Sequence, residues 1–316
     1  MSGYAVPDPT PPRRRAIQLG VGAVVTGLLG AALYRTAHRI EGTTVQGTLE
    51  APSLGGAQVT YTLVYPRGVD ARRPVVPGGG QGSRLPVVVV LHDLGGDSSV
   101  VTRLGLDEAL GRAVVQDGMA PFALAAISGG DRWWRARPDG TDAGALVLDK
   151  FLPWLAALGL AAGAEHRVGL LGVGMGGYGA LRLAQELAQR PNAPEVAGIA
   201  VAGPTLWRTA DAARQQDPGV FADAGDFERG DLRSAPDALA GVPLRVECGG
   251  EDPYLPAVRE VLGALRPPPT VTVTAGGHDL DTWKPLADGQ IRFLGTSFAA
   301  GGQQVAASGG YPPPHG

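Results

Sequence analysis

Leu170-Leu171-Gly172-Val173-Gly174-Met175-Gly176-Gly177-Tyr178-Gly179-Ala180-Leu181 is the stretch on which the fold of this 316-residue chain turns. The apolar run up to Val173 reads as a buried strand, the glycines at 172, 174 and 176 as a tight turn, and the residues beyond as a helix. Strand, turn and helix in immediate succession are the unit from which parallel sheets are wound.

Working outward from that turn, the same alternation recurs. Candidate strands fall at 44–51, 58–65, 85–92, 122–128, 167–173, 196–203, 243–248 and 270–275, and candidate helices near 104–116, 142–160, 177–189, 254–265 and 282–296. Runs such as Pro86-Val87-Val88-Val89-Val90-Leu91 have the continuous β-branched character of strands buried on both faces. Helices between the middle strands imply right-handed crossovers. The expected fold class is α/β: a mainly parallel central sheet of about eight strands with helices on both faces. The short turn at Gly55-Gly56 makes the first two strands an antiparallel pair, and Pro74 to Pro86 reads as a surface insertion. The domain is expected over 44–298. Residues 299–316, mostly Gly, Ala, Pro and Gln, are expected as a disordered tail.

Composition narrows the function. Apolar residues make up 44%, charged ones 18%, and the net charge is −3, which gives no field to attract nucleic acid. Cys248 is the single cysteine, so no intramolecular disulfide forms, and His38, His92, His166, His278 and His315 show no zinc-like spacing. Neither a metal nor a cofactor is expected. At the N-terminus, Arg13-Arg14-Arg15 precede Ala16 to Tyr34, a stretch without charge. Residues 1–43 therefore read as a basic segment with a signal peptide or membrane anchor, the arginines suiting twin-arginine export. The localisation expected from this is exported, either membrane-anchored or secreted, at the cell envelope.

The turn at Gly174 resembles the nucleophile elbow, G-x-S-x-G, of α/β hydrolases. Gly172 and Gly176 hold its two flanking glycine places, and the residues from Met175 to Leu181 are similar to the elbow of the esterase D-like esterases and, more distantly, the mycolyltransferases. Only the serine differs: Gly174 stands in its place. Ser128-Gly129-Gly130-Asp131-Arg132-Trp133-Trp134-Arg135 also resembles the family segment after the fourth strand, although secreted actinobacterial members often have Tyr-Trp-His where Trp133-Trp134-Arg135 stands here. The resemblance covers roughly 44–297 and implies an α/β-hydrolase fold. It implies Asp252 as the triad acid and His278 as the base, and backbone N–H groups of Met175 and Leu94 as the oxyanion hole. Taken singly, Asp252-Pro253 is an ordinary helix cap and His278 an ordinary turn residue; each nevertheless ends its expected strand.

Glycine cannot form an acyl-enzyme, and it leaves His278 no hydroxyl to deprotonate. It also eases a strained turn. Three readings follow. In the first, the chain is a pseudo-esterase whose pocket still takes a small-molecule ester, acyl, glycan or lipid ligand. In the second, it is an active carboxylic ester hydrolase or acyltransferase using water activated by His278 and Asp252, or a nucleophile from elsewhere such as Ser98 or Ser99. In the third, Gly172-Val173-Gly174-Met175-Gly176-Gly177 is a dinucleotide-binding G-x-G-x-x-G. The third is weak, because the following strand ends at Ala202-Gly203-Pro204-Thr205 without the carboxylate that would hold a ribose. Trp133, Trp134 and Trp207 are either pocket-lining or ordinary core, and the segment 204–240 carries no motif.

Overall fold

The computed structural model describes residues 33–36, 42–78 and 83–308. Its strands are β1 (Leu33–Thr36), β2 (Thr43–Ala51), β3 (Ala57–Tyr65), β4 (Val87–Leu91), β5 (Ala123–Ile127), β6 (Arg167–Val173), β7 (Glu195–Ala202), β8 (Leu244–Gly249) and β9 (Val271–Thr274). Its α-helices are α1 (Val100–Arg103), α2 (Leu106–Val115), α3 (Ala143–Ala145), α4 (Leu152–Ala157), α5 (Met175–Gln189), α6 (Ala210–Gln216), α7 (Ala224–Gly230), α8 (Leu255–Gly263), α9 (Leu280–Trp283) and α10 (Ala287–Ser308).

The strands form one sheet in the order β1-β2-β3-β5-β4-β6-β7-β8-β9. The pairs from β1 to β3, and β3 with β5, are antiparallel; all others are parallel. Each of the eight expected strands is present, and β1 adds a ninth. The parallel part is buried on both faces, which is why its strands carry no polar alternation. Along β4, Val87, Val89 and Leu91 pack into one core, whereas Val88 and Val90 pack into the other. Each valine so buried is worth about 1.5–3 kcal/mol. The first core is closed by α4, α5 and α8, the second by α2 and α10.

One expectation about the ends is corrected. Among the described residues no helix is long and apolar enough to cross a membrane. The stretch read as an anchor, Ala16 to Tyr34, ends not in a helix but in β1, where Leu33 and Tyr34 pair with Gln46 and Val45. Its residues 16–32 lie outside the described residues. The membrane partner and the membrane-anchored localisation at the cell envelope are therefore overturned. At the other end, α10 continues to Ser308, past the boundary drawn at 298, so the beginning of the expected tail has helical backbone. Residues 309–316 lie outside the described residues.

The segment after β7 folds over the C-terminal end of the sheet as a cap bearing α6 and α7. It is held by an aromatic cluster in which Trp207 meets Trp133, Tyr178 and Phe221 with ring centroids 5.1–5.7 Å apart. Beneath that cluster lies a buried ion pair. Arg135 donates from Nη1 to Asp226 Oδ1 at 2.9 Å and from Nη2 to Oδ2 at 2.8 Å, while its guanidinium lies 4.5 Å from the centre of the Phe221 ring. Arg135 thus ties the segment after β5 to the cap. Trp133, Trp134 and Trp207 are buried in the core, which decides their role as packing.

Burial alone would push the Asp226 carboxyl up; the hydrogen bonds from Arg135 and the Ala222 N–H outweigh it and hold the group at about 2. A depressed carboxyl contributes stability that is fully present above its unfolded value near 4 and is lost as pH falls towards 2, here on the order of 2 kcal/mol. Acid-unfolding curves of the parent and of Asp226→Asn are expected to differ in that window. Arg135→Ala, which strands the buried carboxylate, is expected to cost about 3–5 kcal/mol in a denaturant titration, and Arg135→Leu/Asp226→Leu distinctly less.

Candidate active site

The C-terminal ends of β4, β6, β8 and β9 converge, and β4 lies between β5 and β6 where the chain reverses its direction of winding. Open α/β sheets place their sites at such a reversal. The turn joining β6 to α5 has no room for side chains on either flank. A Cβ on Gly172 would lie 2.0 Å from the Gly176 carbonyl oxygen, and one on Gly176 would lie 2.1 Å from that of Leu91. Between them Gly174 adopts φ 54° and ψ −121°, left-handed in φ and costly for any residue with a side chain. The tight strand-to-helix turn is therefore formed with glycine at 174. It leaves no free glycine loop for a pyrophosphate: Gly174 donates its N–H to the Ala202 carbonyl, Gly177 donates to that of Gly174, and Gly176 is pressed on β4.

His278, in the loop after β9, places Nδ1 2.9 Å from Oδ2 of Asp252, in the loop after β8. Asp252 is buried, its other oxygen accepting the Tyr254 N–H, and His278 is partly buried with Tyr254 and Trp283 packed on its ring. The outer nitrogen, Nε2, lies 3.4 Å from Thr205 Oγ1. Thr205 donates its N–H to the Gly174 carbonyl, so a single residue links this nitrogen to the turn. The structure thus brings together Gly174, Asp252 and His278, three strands apart in sequence. Ser98 and Ser99 are not part of this group. They lie in a separate groove with Gln46, Thr60 and Tyr61, and the Ser98 hydroxyl is hydrogen-bonded to Thr60 and Thr62.

The residue that sequence reasoning missed is Asp93. Its Oδ1 accepts the N–H of Met175 at 2.7 Å, the donor expected to face an oxyanion. A Cβ on Gly174 would fall 2.0 Å from that same oxygen and 3.0 Å from Oδ2. The carboxylate therefore fills the space a serine side chain would use. Its backbone is fixed as well: the Asp93 carbonyl accepts the Gly96 N–H at 2.9 Å and lies 2.7 Å from His92 Nδ1. His92 Nε2 accepts the N–H of Gly129 at 3.0 Å, which leaves Nδ1 as the protonated nitrogen donating to Asp93. Burial lowers the His92 value and keeps the ring neutral. Trp134, donating Nε1–H to the His92 carbonyl at 3.2 Å, holds this loop from below. The signal was legible: an acid directly before Leu94 is electrostatically wrong for a site meant to stabilise a negative oxygen.

A cavity of about 170 Å³ lies beside the carboxylate, lined among others by Asp93, Leu94, Arg103, His278 and Trp283. The expected pocket for a small ester, acyl, glycan or lipid ligand is thereby corrected. The Met175 N–H expected as its oxyanion donor is held by Asp93, and the remaining space is below the 300–1,000 Å³ usual for such sites.

No family model and no curated protein sequence matches the chain. Solved structures do. A ferulic acid esterase superimposes with a TM-score of 0.64 at 18% identity, covering 81% of this chain and 98% of its own. An S-formylglutathione hydrolase from Agrobacterium tumefaciens gives 0.62 at 14%, covering 84% and 98%. The fluorophosphonate-binding serine hydrolase FphF of Staphylococcus aureus gives 0.57 at 15%, covering 80% and 98%. The chain has the α/β-hydrolase fold. It shares that fold with esterases at identities that carry the architecture and not the substrate.

Gly174→Ser alone is expected to lose about 1–3 kcal/mol of stability, because the new Cβ meets the Asp93 carboxylate and the left-handed backbone disfavours a side chain. It is also expected to gain no esterase activity. Gly174→Ser/Asp93→Ala, which clears both the serine's space and the Met175 N–H, is expected to gain hydrolysis of p-nitrophenyl acetate that disappears when His278→Ala is added.

Proposed function

We propose that the chain is a hydrolase of ester-type bonds in which His278, oriented by Asp252, activates water instead of a serine. The observation that carries this reading is the His278 Nδ1 to Asp252 Oδ2 hydrogen bond of 2.9 Å, with Nε2 beside Thr205, whose N–H is bonded to the Gly174 carbonyl. Asp252 fixes the imidazole with its proton on Nδ1, and the unprotonated Nε2, which the Thr205 hydroxyl approaches at 3.4 Å, is the general base. A neighbouring carboxylate also stabilises the imidazolium that forms as water is deprotonated. Esters are the first bond class to test because the proteins that share this fold include esterases. No covalent acyl-serine forms, since Gly174 has no side chain.

Hydrolysis of p-nitrophenyl acetate by the full chain is expected to be slow and to fall by about 10²–10⁴ in His278→Ala, the usual contribution of a positioned base. Asp252→Asn, which upsets the tautomer, is expected to lower it as well. A rate that His278→Ala leaves unchanged would remove the base from the mechanism.

A further inference from the structure

The Asp93 carboxylate stands in the space that a side chain on Gly174 would use, and its two oxygens are not equivalent. Oδ1 is held by the Met175 N–H at 2.7 Å, whereas Oδ2 has no hydrogen-bond partner among the described residues. A carboxylate so placed has one oxygen in the oxyanion position and one available to react. It is fixed through its own backbone and through Met175, and it lines the same cavity as His278. We propose that Asp93 is the nucleophile of this site, and that its substrates are small molecules with a leaving group on saturated carbon, such as short alkyl halides.

The choice of substrate class follows from carboxylate chemistry. Adding a carboxylate to an ordinary ester carbonyl gives a tetrahedral adduct that expels the carboxylate again, because it is a far weaker base than an alkoxide. Such an adduct would also need the Met175 N–H, which Asp93 already holds. Displacement at saturated carbon has no such adduct and asks nothing of the oxyanion hole in the first step. Oδ2 forms a bond to carbon as the carbon–halogen bond breaks and the halide leaves with the electron pair, into a cavity that Arg103 also lines. The product is an alkyl ester of Asp93.

The second step rests on the proposed function above. Water loses a proton to His278 Nε2, and the hydroxide adds to Cγ of Asp93. The oxyanion that develops is Oδ1, already in place against the Met175 N–H, where such a donor is most effective. Collapse expels the alkoxide, which takes the proton from His278 and leaves as the alcohol. Asp93 releases its own proton to solvent and returns to the carboxylate. The sum is alkyl halide plus water giving alcohol, halide and a proton. The cavity, about 170 Å³, suits a short alkyl group.

The test uses the full chain and 1-bromobutane. In His278→Ala, which forms the ester and cannot hydrolyse it, peptide mass spectrometry is expected to find one butyl group on the peptide bearing Asp93. A single turnover of the parent in water labelled with heavy oxygen is expected to leave the label in the Asp93 carboxyl and not in the butanol. Asp93→Ala is expected to release no bromide. An unmodified Asp93 in His278→Ala, or label found in the butanol, overturns the proposal. The two readings fail separately. His278-dependent hydrolysis of p-nitrophenyl acetate without a butyl ester on Asp93 removes only the nucleophile. A butyl ester lost equally fast with and without His278 removes only the base.

Discussion

The backbone contact between the turn at Gly174 and the end of β4 is the constraint on which the rest of the site depends. The Leu91 carbonyl lies against Gly176, and the Gly176 carbonyl against Gly172, so closely that neither position tolerates a Cβ. That contact sets the distance between β4 and α5. It brings the loop after β4 within hydrogen-bond reach of the first N–H of the helix, and it forces Gly174 into a left-handed conformation. Close packing in a protein interior transmits such a constraint because it leaves little space to relax into.

From that contact the chemistry of the site follows. In an elbow with a side chain at 174, the space above the turn belongs to that side chain and the Met175 N–H to a substrate oxygen. Here both belong to Asp93. A buried N–H that finds a charged acceptor forms a stronger hydrogen bond than one with a neutral acceptor, so the arrangement is internally satisfied. Beside it the His278–Asp252 pair keeps the geometry of a base and its orienting acid. The site thus places a histidine–carboxylate pair beside a second carboxylate that fills the space above Gly174.

The loop carrying Asp93 is supported from the core as well as from the helix. Trp134 lies with its indole edge-on to His92, ring centroids 4.9 Å apart, and glycines at 129 and 179 allow the ring to approach the backbone on both sides. The neighbouring Arg135 reaches in the other direction to Asp226 in the cap. A short segment after β5 therefore serves both the floor of the site and its cover, which is why it departs from a simple loop and contains two tryptophans at positive φ.

Much of this architecture was legible in the residues. All eight expected strands are present within one or two residues of their anticipated ends, because strands buried on both faces are continuous apolar runs and the glycines mark their turns. Glycine at 174, the acid at 252 and the histidine at 278 were legible because each ends a strand, and strand order fixes where strand ends meet. What the residues alone did not decide lies in contacts between distant segments. β1 was hidden in a stretch whose lack of charge suited a membrane, since hydropathy does not distinguish a strand that has found a partner from an apolar helix. Arg135 read as a departure from a pattern until folding placed Asp226 against it. Asp93 was visible as an acid beside an expected oxyanion donor, but whether its carboxylate pointed to solvent or into the elbow depended on the separation of β4 and α5. The sequence by itself determined the sheet, the turn and the glycine at 174, because these follow from local periodicity and residue type. The tertiary structure alone decided what fills the space above Gly174, because that is a matter of which two backbones approach within a hydrogen bond of each other.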